Sequence, residues 1–89
     1  MKTILTLGRT VITANAQEKL DKMDVLSALF RHASGDWGDL PLPDRNANAV
    51  ALCKGLRVLS SYRDRNGIRF WVITEADRAS TTVLLPSDY

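Results

Sequence analysis

The chain has 89 residues, a formal net charge of +2 and a single cysteine. That length supports one core and hence one domain over 1–89. The lone thiol excludes an intramolecular disulfide and a cysteine-built metal site, and the charge falls short of the basic excess many nucleic-acid binders carry.

Thr3 to Thr13 (TILTLGRTVIT) is rich in β-branched residues and reads as a strand, with Leu5, Leu7 and Val11 on one face and Ile4 and Ile12 on the other. Gly8 marks a bend, a bulge or a close approach of another backbone. The stretch from Met1 to Ile12 is too short and interrupted for a signal peptide. No run approaches the roughly twenty apolar residues of a membrane span. The expected location is therefore the cytoplasm, with no membrane contact.

Thr13 or Asn15 caps a short polar helix over about Ala16 to Met23, and Asp24 reads as the cap of a second helix, Val25 to Ala33. There Leu26, Leu29, Phe30 and Ala33 recur at the spacing of one buried stripe, expected to roof the apolar side of a sheet. Arg31 and His32 suit the negative end of that helix. Gly35 to Pro43 (GDWGDLPLP) is a shaped loop with Trp37 and Leu40 as apolar anchors. A third helix runs from about Leu42 to Lys54, closed by Gly55, with a stripe of Leu42, Ala49, Val50 and Cys53.

The last third is a hairpin: Leu56 to Asp64, the pair Asn66-Gly67, then Ile68 to Glu75. Asn-Gly is the residue pair of a type I′ turn, which sets Tyr62 opposite Trp71 and Ser60 opposite Ile73. Thr81 to Leu85 adds a third strand. The predicted fold is α+β: an N-terminal strand, two to three helices, then a three-stranded antiparallel meander packed on the helices.

Reactive residue types cluster at Arg31, His32, Ser34, Asp36 and Asp39. His32 and Asp36 have the chemistry of an acid–base pair, but groups that cooperate in catalysis normally converge from distant segments. Carbonyl capping by Arg31 and His32, with Asx turns at Asp36 and Asp39, is the simpler account. Asp36, Asp39 and Asp44 fit no cation-loop template, and Glu75 with Asp77 reads as a turn rather than a catalytic pair. No phosphate loop, dinucleotide fingerprint, HExxH or nucleophile elbow occurs, so neither catalytic residues, a metal nor a cofactor is expected. The remaining candidates are binding residues. Arg57, Arg63, Arg65 and Arg69 face one acid, Asp64, and form a basic hairpin or simply cover apolar surface with their stems. Asp36, Trp37 and Asp39 form an acidic loop with an aromatic anchor. Phe70 and Trp71 are consecutive in a strand and point to opposite faces.

The runs FRHASGDWGDL (Phe30–Leu40) and FWVITEADRASTTVLLPSDY (Phe70–Tyr89) resemble a family of small proteins of plasmids, phages and bacterial genomes, often labelled "plasmid-related protein" or type I restriction subunit. Pro41 and Pro43 stand where that family is more polar and acidic. The resemblance implies no activity or catalytic residue. In element order alone the chain is similar to RelE-like toxins, which cleave mRNA on the ribosome, and Arg57, Arg63, Arg65, Arg69 and Tyr89 correspond by position to their basic sheet residues. The reading that follows is a non-enzymatic binding protein of a mobile element, occluding a protein or nucleoprotein complex of its host, with anti-defence action as one form. Direct nucleic-acid contact would go through the arginine hairpin. A RelE-like RNase is the alternative.

Overall fold

The computed structural model describes residues 2–89; Met1, the first residue of the stretch read against a signal peptide, lies outside them. The elements are β1 (Arg9–Ile12), α1 (Ala14–Lys19), α2 (Lys22–Ala33), α3 (Leu42–Lys54), β2 (Val58–Arg63), β3 (Arg69–Thr74) and β4 (Ser80–Leu84), closed by a 3-10 turn at Pro86–Asp88. This is the expected α+β class. Strands β2, β3 and β4 form the antiparallel meander, and β1 joins it alongside β4 in parallel, giving the order β1-β4-β3-β2.

The hairpin turns by a different route from type I′. Gly67 alone of its central pair takes positive φ, at 81°. The loop is organised by Asp64, whose carboxylate accepts the N–H groups of Asn66 and Ile68 at 2.9 and 3.0 Å. A type I turn followed by a left-handed glycine is one residue longer in effect than the two-residue loop. The register consequently slips by one: Tyr62 pairs with Phe70, Ser61 with Trp71 and Ser60 with Val72. That slip puts Tyr62 and Phe70 together in the core and Trp71 on the other face.

The first strand is shorter than its composition suggests. Residues 3–7 are irregular, and pairing begins at Arg9, whose N–H reaches the Ala79 carbonyl at 2.9 Å. Gly8 explains the join: at φ 62° it lies so close to the Arg78 and Ala79 carbonyls that any Cβ would collide with them. Thr13, not Asn15, caps α1, and α2 starts earlier than expected because Asp21 accepts the Asp24 N–H at 3.0 Å.

The buried faces of the helices also differ from the expected stripes. On α2 the sheet receives Val25, Ala28, Leu29 and His32, while Leu26 is 48% and Phe30 62% exposed. The small Ala28 lets the helix approach closely, and His32 finds hydroxyl partners on the sheet, so the helix is rotated away from its bulkiest row. On α3, Leu42, Ala49, Val50 and Cys53 are exposed, and the inward residues are Asn48, Ala51 and Leu52. Asn48 accounts for this: its amide donates to the Leu59 carbonyl at 2.6 Å and accepts the Leu59 N–H at 3.2 Å, taking up the outward backbone groups of that β2 residue. The end of α3 is as expected, with Gly55 left-handed at φ 66°.

Candidate functional site

Alternation along the strands gives the sheet two chemically distinct faces. The covered face carries Val58, Ser60, Tyr62, Phe70, Val72, Thr74, Thr81 and Val83, all buried. The outer face carries Leu59, Ser61 and Arg63 from β2, Arg69, Trp71 and Ile73 from β3, Thr82 and Leu84 from β4, and Arg9 and Val11 from β1.

Against the covered face lies His32, fully buried. Thr81 donates its hydroxyl to the Leu7 carbonyl at 2.7 Å, so Thr74 must donate to Thr81, also at 2.7 Å. Thr74 Oγ1 is then left to accept, and His32 Nε2 carries the proton it receives at 2.9 Å. Nδ1 accepts the hydroxyl of Ser60. This bond order makes the ring neutral, and burial agrees, lowering its pKa from 6.5 to about 4. His32 therefore neither caps carbonyls nor pairs with Asp36; it ties α2 to β2, β3 and β4.

The loop before α3 is likewise committed to structure. Asp36 is held by Arg31 at 2.7 Å, which keeps its carboxyl below the usual carboxylate range, and Oδ1 also accepts the Gly38 N–H at 3.1 Å. Tyr62 donates to the Asp36 carbonyl at 2.6 Å, and burial pushes its hydroxyl up to about 12. Trp37 packs edge-on against His32, with ring centroids 5.7 Å apart. The loop lies on β2 itself: Ser61 donates to the Trp37 carbonyl at 3.2 Å and accepts the Asp39 N–H at 2.7 Å. Gly38 is needed there because a Cβ would run into the Ser61 carbonyl and the Tyr62 ring. Among the described residues no group of three or more His, Cys, Asp or Glu side chains is placed to hold a metal ion, so Asp36, Asp39 and Asp44 do not converge as ligands.

The arginines separate into two groups. Arg65, at the hairpin tip, is bound to the start of α2: its guanidinium meets Asp24 at 3.0 Å and Asp21 at 3.3 Å. Arg57, Arg63 and Arg69 stand on or beside the outer face. Arg57 donates to the Tyr89 hydroxyl at 2.7 Å and lies 3.6 Å from Glu75, contacts that hold its pKa above the ordinary arginine value. Arg63 is 4.0 Å from Asp39, with both side chains more than half exposed. Arg69 donates to the Ser61 hydroxyl at 2.9 Å and pairs with no carboxylate among the described residues. The Trp71 and Tyr89 rings meet edge to face at 5.7 Å. Between Arg69, Trp71, Ser61, Asp39, Leu40 and Asp44 lies a shallow cleft of about 210 Å³.

The structure thus brings Asp39, Arg57, Arg63 and Arg69 onto one face and assigns Asp36, Trp37 and Arg65 to internal contacts. Sequence reasoning left Trp71 undecided between faces and did not place Arg9. The period-two alternation of RFWVIT signals Trp71 once Phe70 is known to be core. No family model matches the chain, and neither a curated protein nor a solved structure matches it. No helix among the described residues is long and apolar enough to cross a membrane.

Proposed function

We propose that this chain is a binding protein that acts by occlusion, docking the outer face of its sheet on an anionic surface of a host macromolecular complex. One observation carries the reading. Arg57, Arg63 and Arg69 stand with Trp71 and Tyr89 on the outer face, supported from behind by a packed core. Arginine and large aromatic side chains are the residue types that dominate binding energy at interfaces, and a rigid support limits the entropy lost on docking. The groups with catalytic chemistry are engaged elsewhere: His32 in a closed hydroxyl chain and Asp36 with Arg31. The biological setting we propose is a mobile element, with a restriction or CRISPR complex as the target.

The test is affinity capture of the tagged protein from its host, beside a variant carrying Arg57→Glu, Arg63→Glu and Arg69→Glu. The wild type is expected to retain a stoichiometric complex that the variant loses. A complex retained equally by both proteins would defeat the reading. The position of Tyr89 against Arg57 on the same face also favours a second reading, a RelE-like mRNA-cleaving toxin. That reading requires growth arrest on expression, relieved by the same triple substitution; a chain expressed without harm excludes it.

A further inference from the structure

The outer face holds one place where hydrogen-bond donors converge without a matching acceptor. The register sets Arg63 and Arg69 directly opposite each other on β2 and β3, a like-charge pair that costs stability. Asp39 stands 4.0 Å from Arg63, whereas Arg69 has no carboxylate at ion-pair distance among the described residues. Its guanidinium gives one N–H to the Ser61 hydroxyl at 2.9 Å. The rest of its planar fork of donors is unspent.

Ser61 adds a second donor. It is only 2% exposed, and its hydroxyl oxygen accepts from Arg69 while its hydroxyl proton meets no acceptor among the described residues. Ser61 and Arg69 both line the cleft of about 210 Å³, with Leu40, Pro41, Leu59 and Trp71 as its apolar wall. That volume lies below the roughly 300–1,000 Å³ of sites for small molecules. It is a space for one side chain. Asp39 and Asp44 stand on the same lining, so the cleft cannot gather several negative charges.

We propose that this cleft receives a single carboxylate side chain of a partner protein, and that the anionic surface the chain docks on is therefore protein and not nucleic acid. The inference rests on the outer face being the docking surface and names the chemistry that face selects. A carboxylate offers two oxygens to the guanidinium fork and has lone pairs left for the Ser61 proton, while its aliphatic stem lies on the apolar wall. A phosphodiester strand fits worse. Its charges recur along its length and are matched by a continuous basic track. Here a strand following the arginines from Arg69 meets a carboxylate at each next one, Asp39 at Arg63 and Glu75 3.6 Å from Arg57. A lone carboxylate avoids those encounters.

The test titrates the intact, isotope-labelled chain with the blocked peptide acetyl-Ala-Glu-Ala-amide, its glutamine counterpart and a short oligothymidylate, all at one salt concentration. The glutamate peptide is expected to shift the Arg69 Nε, Ser61 amide and Trp71 indole signals saturably, with a millimolar dissociation constant. The glutamine peptide is expected to bind at least about tenfold more weakly, the scale of a lost charge-assisted hydrogen bond. Arg69→Gln, at an exposed position, and Ser61→Ala, which keeps the backbone bonds to Trp37 and Asp39, are each expected to weaken the glutamate peptide while signals elsewhere stay in place. Equal response to the two peptides, response to neither, or tighter binding of the oligothymidylate at these signals overturns the proposal. Nuclease treatment of the captured complex separates this failure from that of the occlusion reading. A complex that survives digestion and is lost with Arg69→Gln supports the carboxylate site. Release by nuclease overturns that site and leaves occlusion standing, whereas a complex that the triple arginine variant retains defeats occlusion itself.

Discussion

Phe70 and Trp71 are neighbours in β3, yet they belong to two different environments. Behind Phe70 lies a face whose polar groups are spent on one another: Ser60, His32, Thr74, Thr81 and the Leu7 carbonyl form one continuous chain. Around Trp71 lies a face whose charged side chains are exposed, as with Arg63 and Asp39 at 4.0 Å. Residue type is therefore a poor guide to role in this molecule. The histidine and the aspartate with the most suggestive chemistry are held in internal hydrogen bonds, whereas the exposed side chains of the outer face are mainly arginines and rings.

The contrast is broken most severely by truncating each aromatic in turn. Phe70→Ala empties a fully buried site and is expected to cost about 3–5 kcal/mol, a large part of the stability of a chain this size, about 5–10 kcal/mol. Trp71→Ala, on the half-buried outer side, is expected to cost distinctly less. Denaturant midpoints at constant slope measure both, and equal losses would mean that the faces are not distinct.

The covered face can also be strained by pH. Its pocket accepts His32 only as the neutral ring, so the unfolded chain binds that proton more tightly. The contribution is fully present above the ordinary histidine value of 6.5 and is lost progressively as pH falls toward about 4, by at most about 3 kcal/mol. Asp36 and Asp64, both held below the usual carboxylate range, add their losses lower still. Burial opposes the lowering at Asp64, and the N–H donors of Asp21, Ile68 and Asn66 outweigh it. Unfolding measured from pH 7 to pH 4 is expected to show the slope in the wild type and not in His32→Asn. Thr74→Val is isosteric but leaves the Nε2 proton without its acceptor, at an expected cost of about 1–3 kcal/mol. Loss of the single Nε2–H tautomer in that variant, read by nitrogen NMR, would accompany it.

Much of the frame was legible in the chain. The third helix and its closing glycine, the hairpin and the third meander strand follow from local chemistry, because caps, turn residues and period-two runs act over a few positions. What escaped was set by tertiary contact. The register of the hairpin depends on the Asp64 carboxylate binding its own loop, which the Asn-Gly pair does not reveal. The buried face of α2 depends on hydroxyls that Ser60 and Thr74 bring from strands some thirty and forty residues away, and a hydrophobic count favours Leu26 and Phe30 instead. The four hairpin arginines looked equivalent in sequence. Arg65 was separated from the others only by the approach of Asp21 and Asp24 from α2.

The outer face offers the gentlest test and the most discriminating one. Asp39 and Arg63 are both exposed, so their ion pair contributes little, and Asp39→Asn is expected to change stability by no more than about 0.5 kcal/mol. Its effect on binding has a sign that depends on which charge meets the partner. If the arginines dock on an anionic surface, removing a neighbouring carboxylate raises the local positive potential and tightens binding, more so at low salt. If the acidic loop docks instead, the same substitution weakens binding while Arg69→Ala leaves it unchanged. The arginine face predicts the first pattern, with Arg69→Ala weakening binding because that guanidinium is held by the Ser61 hydroxyl and by no carboxylate. Titration of the captured complex against both variants, at two salt concentrations, decides between the two charges.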